Sequence, residues 1–221
     1  MIDSNLLPLF PLNTVLFPGQ LLPLHIFEER YKLMIRHCLE GEATFGVVLI
    51  REGDEVGATA TPYAVGTLAR IRKLDQAEDG KMDLLCLGEA RFKITALNEE
   101  QPYLSANVEI WPWQPLQPEE VEPRASQLKT MLTRYIKLLS AVTRNPVHVE
   151  DLPADPLLLA DLAAIALQVP NREKQQILSE PSLSEFIDTC TALLKRENQA
   201  LQTLSAVPLT YDRKPPSISQ N

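Results

Sequence analysis

The sequence predicts an α+β protein, with strands filling its first half and helices its second. Two observations carry this expectation. Apolar residues up to about residue 110 recur mainly with period two, as in half-buried strands, whereas beyond residue 127 they recur at three and four, as on helices. The 18 prolines among 221 residues gather at the opening, at 112–123 and around 146–156, where they punctuate the chain instead of forming a low-complexity tract.

The opening "NLLPLFPLNTVLFPGQLLPLHIF" carries no formally charged side chain from residue 4 to residue 27. Roughly 20 apolar residues suffice to span a bilayer. Pro8, Pro11, Pro18 and Pro23 argue against a span, because each removes a backbone donor and a helix broken so often leaves polar groups unpaired in hydrocarbon. Asp3 stands where an export signal carries lysine or arginine. The stretch is therefore expected to fold as extended edge segments with tight corners, one at Pro18–Gly19, that begin a small closed sheet.

The next segment, "FEERYKLMIRHCLEG", predicts a helix with Phe27, Tyr31, Met34, Ile35 and Cys38 on one face and Gly41 at its end. Strands are expected at "FGVVLI" and then at three further runs, "AVGTLARIRKL", "MDLLCLGEA" and "RFKITAL", with an Asp79–Gly80 turn after the first of these. "YLSANVEI" alternates, placing Leu104, Ala106, Val108 and Ile110 on an inner face and Tyr103, Ser105, Asn107 and Glu109 on an outer one.

"PWQPLQPEEVEP" reads as a proline and acid linker that divides a β-lobe (1–115) from a helical lobe (116–207). In the second lobe Leu128, Met131, Leu132, Tyr135, Ile136, Leu139 and Val142 mark an amphipathic helix. "ADPLLLADLAAIALQV" has Asp155 as N-cap and Pro156 at the first helical position, and its nearly uniform apolarity calls for burial at the bundle centre. Asn171 is expected to cap a short helix, and "SLSE" at 182–185 is a capping box opening a long one. Residues 208–221 read as a disordered tail.

The net charge of −8 is the wrong sign for binding phosphate backbones or anionic lipid, and Arg70–Arg72–Lys73 and Arg213–Lys214 are too small to reverse it. Cys38, Cys86 and Cys190 are far apart within apolar patterns, which predicts free thiols, no zinc site and a cytoplasmic protein. His25 reads as a half-buried hydrogen-bonding residue. His37 and Cys38 are helix neighbours that cannot face each other, and Glu28 and Glu29 suit a helix start. The "EGDE" loop at 52–55 lacks the ligand alternation of a calcium site, so no metal is assigned. Trp111 and Trp113, at the junction of the lobes, are the candidate protein-binding residues; the alternative role is to hold the lobes together.

Taken in order, "PLFPLNTVLFPGQLLPLHIFEERY", "FGVVLI", "VGTLARI", "DGKMDLLCLGEARFKI", "PYLSANVE" and "DLAAIALQVPNREKQQIL" resemble the N-terminal, substrate-recognition domain of Lon-type ATP-dependent proteases. The resemblance runs from about residue 5 to 205. It implies a PUA-like β-barrel lobe carrying one inserted helix, followed by a helical-bundle lobe. The sequence contains no GxxxxGK[ST] phosphate loop and leaves no room for a peptidase domain. The expectation is a stand-alone, non-enzymatic module that binds unfolded or specific protein segments and works with a protease or chaperone. It should need no cofactor, ATP, nucleic acid or membrane. The alternatives are an RNA-binding PUA-like protein and, last, a small Cys/His hydrolase.

Overall fold

The computed structural model describes residues 6–53, 60–77, 80–114, 117–143 and 151–206. Its first part contains β1 (Leu7–Leu12), β2 (Leu21–Ile26), α1 (Glu29–Leu39), β3 (Thr44–Glu52), β4 (Thr61–Gln76), β5 (Met82–Asn98) and β6 (Ser105–Ile110). Four helices follow: α2 (Pro118–Thr143), α3 (Pro156–Ala166), α4 (Asn171–Leu178) and α5 (Leu183–Ala206). The strands form one mixed sheet in the order β2-β5-β4-β3-β1-β6, and β6 pairs with β5 as well. The pairings thus return on themselves through β5, β4, β3, β1 and β6, and β2 is the strand left outside that circuit. β1 and β3 are parallel, so a crossover must join them, and β2 with α1 supplies it.

The prolines of β1 do not confine it to an edge, contrary to expectation, because it lies between β3 and β6. Its two partnerships are staggered instead. Leu7 and Pro8 pair with Ala106 and Ser105, whereas Leu9 to Leu12 pair with Gly46 to Leu49. Each half of the strand therefore needs ladder bonds on one side, which is the condition an edge proline requires.

"MDLLCLGEA" and "RFKITAL", expected as separate strands, form the single 17-residue β5. Its first half pairs with β2 and its second with β6, while β4 runs along much of its other side. Gly88 marks the change of partner. It donates to the Gln20 carbonyl at 2.9 Å and accepts from Gly19 at 2.8 Å. A Cβ there would stand 2.2 Å from the Phe17 carbonyl oxygen, so glycine is what lets the β1–β2 loop close onto the strand.

β6 departs from simple alternation: Tyr103 and Ser105 are buried, and Ile110 is 56% exposed. Tyr103 precedes the strand, and its hydroxyl reaches His37 Nδ1 at 2.6 Å, which draws the ring inward.

The second half of the predicted linker is helix, since α2 begins at Pro118 and runs through Pro123. Pro118 suits the first turn, where backbone N–H groups have no intrahelical acceptor, whereas Pro123 lies inside the helix and withholds one backbone donor from it. Asp155 caps α3 as expected, its Oδ1 accepting from Leu158 N at 2.9 Å. That helix is buried or half-buried along its length, as its apolarity calls for, except at Leu158, which is 58% exposed. Asn171 is the first residue of α4, not its cap, and its amide donates to the Asn13 carbonyl. The capping box is present and reciprocal: Ser182 N donates to Glu185 Oε2 at 3.1 Å, and Glu185 N donates to Ser182 Oγ at 3.3 Å. The predicted tail, Asp79 of the predicted turn, and Asp54 and Glu55 lie outside the described residues.

Three apolar clusters hold the fold. Leu9, Val48, Phe92 and Ala106 fill one inside the sheet, and α1 closes a second over Phe10, Phe45, Met82 and Cys86. The largest joins Phe17, Leu49 and Val65 of the β-structure to Leu128, Leu132, Ala160, Leu167, Ile177 and Phe186 of the helices. The helices therefore share their core with one face of the sheet.

Candidate protein-binding site

Trp111 and Trp113 leave β6 toward α5, and both rings are half-buried. The segment is tied down by backbone bonds, from Gln114 N to the Pro181 carbonyl and from Leu183 N to the Gln114 carbonyl, each 3.2 Å. Trp113 stacks on Phe186 at 4.6 Å between centroids. Arg91 of β5 organises the pair: its guanidinium carbon lies 4.0 Å from the Trp111 ring centroid and 3.8 Å from that of Trp113. Lys93 Nζ also lies over Trp111, at 3.5 Å.

Arg91 is 1% exposed. Its Nη1 donates to the carbonyls of Leu178, at 2.9 Å, and Glu180, and its Nη2 to that of Pro181 at 3.4 Å. Leu178 is the last residue of α4, the end at which the helix carries partial negative charge, and Glu180 and Pro181 follow just beyond it. Helix end and aromatic faces together offset the cost of burying the cation. Burial still lowers the Arg91 pKa to about 10. No simple periodicity announces this residue, which sits beside buried Phe92 in the same strand.

Asp161 of α3 belongs to the same neighbourhood and is 7% exposed, with its Oδ1 buried and unpartnered. Burial pushes its pKa up to about 7, while the charge of Arg91 pulls it down. A carboxyl whose pKa is raised by folding binds more protons in the native state, so its contribution to stability falls as pH rises from about 4 to about 7. Urea unfolding across pH is expected to show the wild type losing about 3 kcal/mol relative to Asp161→Asn over that interval. A difference independent of pH would show that Asp161 is already ionised.

The three cysteines are free and buried. Burial pushes Cys38 and Cys86 up to about 12 and raises Cys190 further, so none is poised as a thiolate nucleophile. His37 meets Tyr103, and the exposed His25 pairs with Asp83 at 2.7 Å. The Arg70–Arg72–Lys73 run is engaged by acids: Arg70 and Arg72 reach Glu89 at 2.6 and 3.5 Å, and Lys73 reaches Asp75 at 2.5 Å. Among the described residues, no group of three or more His, Cys, Asp or Glu could hold a metal, and no helix is long and apolar enough to cross a membrane.

The apolar surface lies elsewhere. β2 pairs with β5 along one side only among the described residues, and it exposes Leu21 by 56%; Phe27, just after the strand, is exposed by 50%. Beside this edge is a pocket of about 210 Å³ whose wall is mostly apolar, from Phe10, Leu12, Leu24, Ile26, Phe27 and Tyr31, with His25 and Glu28 also lining it. The uncharged opening run was the available signal for this surface. It did not say which of the run's leucines would face outward, because that depends on the strand's register with β5.

An α+β domain of the Lon N-terminal fold is what this architecture defines. It is similar to the crystal structure of a Lon N-terminal domain protein from Xanthomonas campestris, with a TM-score of 0.62, 27% identity, and coverage of 85% of this chain and 97% of that one. The N-terminal domain of Mycobacterium avium complex Lon protease, at 20% identity and a TM-score of 0.63, shares the fold over 86% of this chain and 98% of its own. The chain belongs to the family of the ATP-dependent protease La (LON) substrate-binding domain, whose model matches residues 6–196. It is 34% identical over 199 residues to Lon protease from Anaeromyxobacter dehalogenans and 32% identical over 201 to Lon protease 2 from Myxococcus xanthus. These matches cover 89% and 90% of this chain, which spans about a quarter, 24%, of each relative.

Proposed function

We propose that the chain is a non-enzymatic, cytoplasmic recognition module that grips extended apolar segments of other proteins for a Lon-type protease or a chaperone. The observation that carries this reading is the β2 edge. An incoming strand can pair with its outer side, cover Leu21 and Phe27, and seat one side chain in the adjoining pocket. In the same reading, residues 1–115 form a PUA-like barrel lobe that presents the edge, and 116–207 form the helical lobe that braces it. Family membership and the ring of strand pairings support this division.

Anisotropy of fluorescein-labelled, reduced and carboxymethylated α-lactalbumin tests the proposal. Leu21→Lys with Phe27→Ala is expected to weaken binding by about 2 kcal/mol, or roughly 30-fold, with little change in thermal stability. Binding equal to that of the parent chain would remove β2 as the grip. Trp111 and Trp113 are the second candidate surface, favoured by the part of each ring that remains exposed. Trp111→Ala in the same assay decides between a contact residue, which loses binding at constant stability, and a structural one, which loses stability.

A further inference from the structure

We propose that the groove between α2 and α5 is a binding site for a small hydroxylated organic anion of the sugar-phosphate class, a ligand apart from any protein segment held at β2. The groove encloses about 390 Å³ and is lined by Gln127, Met131 and Arg134 on α2 and by Thr191, Lys195 and Asn198 on α5. Both triplets have the i, i+4, i+7 spacing that places three side chains on one stripe of a helix.

Asn198 sets the polarity of the floor. It is 2% exposed, and its Nδ2 donates to the Met131 carbonyl at 3.1 Å, which leaves Oδ1 as the outstanding acceptor. That oxygen is buried without a partner, as is Thr191 Oγ1. Buried polar atoms are ordinarily satisfied, so two orphans lining one groove indicate that partners are to come from outside the chain: a donor for Asn198 Oδ1, and a donor or acceptor for the Thr191 hydroxyl.

Arg134 and Lys195 supply the charge. Neither side chain forms a hydrogen bond or ion pair with any described residue, and no carboxylate lines the groove. Nearby acids are engaged: Arg196 holds Glu173 at 2.7 Å and Glu197 at 2.8 Å. On a chain of net charge −8, two uncompensated cations over an acid-free groove reverse the local sign and favour an oxyanion. A bare phosphate satisfies the cations and can accept from the Thr191 hydroxyl, but it offers few donors to Asn198 Oδ1. A neutral sugar does the opposite, and a sugar phosphate meets both demands within the volume usual for small-molecule sites.

Isothermal titration of the full chain with glucose 6-phosphate, inorganic phosphate and glucose separates these contributions. Glucose 6-phosphate is expected to bind about tenfold or more tightly than either fragment. Lys195→Ala should cost about tenfold in its affinity at unchanged melting temperature. Asn198→Leu should reduce its affinity to that of phosphate; if that variant does not fold, Thr191→Val serves as the same test. Equal binding of phosphate and glucose 6-phosphate would mean an adventitious anion contact only. Absence of heat with all three ligands would likewise overturn the proposal.

Discussion

Arg91→Ala is expected to destabilise the fold by about 3–5 kcal/mol, the scale of removing one member of a buried charged network. The side chain bridges both tryptophan rings and the carbonyls at and just beyond the end of α4, so truncation opens a cavity and leaves acceptors without donors. It also strips Asp161 of the positive charge that favours its ionised form. Urea unfolding followed by fluorescence reads the change directly, because Trp111 and Trp113 are the chain's two tryptophans. Arg91→Lys should recover only part of the loss, since an ammonium lacks the planar fork that reaches three carbonyls and stacks on two rings. A melting curve for Arg91→Ala that overlays the wild type would refute the role assigned to this residue.

Gly88→Ala carries the second large effect, about 3 kcal/mol of destabilisation. The added methyl would fall on the Phe17 backbone oxygen, and a backbone atom held by neighbouring hydrogen bonds cannot step aside as a flexible side chain can. Gly41→Ala is the control. Its Cβ would meet only the Cys38 carbonyl oxygen at 3.8 Å, so its stability should stay within about 0.5 kcal/mol of the parent. Equal stability of the two variants would show that the β1–β2 loop yields to the intrusion.

The sequence disclosed features governed by local chemistry. The Ser182–Glu185 box and the Asp155 cap are written in a few adjacent residues, and they appear where the pattern puts them. Features set by distant partners were less legible. Asn171 looks like a cap, yet its amide is taken by the Asn13 carbonyl, 158 residues away along the chain. Pro118 and Pro123 look like a linker, yet the first begins a helix and the second lies inside it, and the shared core stabilises that helix through Val121 and Leu128. Arg91 stands in the sequence only as the first residue of the run "RFKITAL", because its role depends on the end of α4 and two tryptophans being brought to it. The place of the tryptophans between the last strand and the helices was legible from the order of the elements, whereas the exposure of Leu21 required the pairing of β2 with β5.

The staggered pairing of β1 has a consequence for how the chain is made. During synthesis Leu7 and Pro8 emerge early, but their partners Ala106 and Ser105 follow almost 100 residues later, about 5–20 seconds behind at usual elongation speeds. Throughout that delay the uncharged opening has no completed sheet to enter, and its leucines remain open to any apolar surface nearby. Slowing translation before residue 105 should therefore lower the yield of native protein, whereas slowing it within α5 should matter less, because the first strand is by then already enclosed.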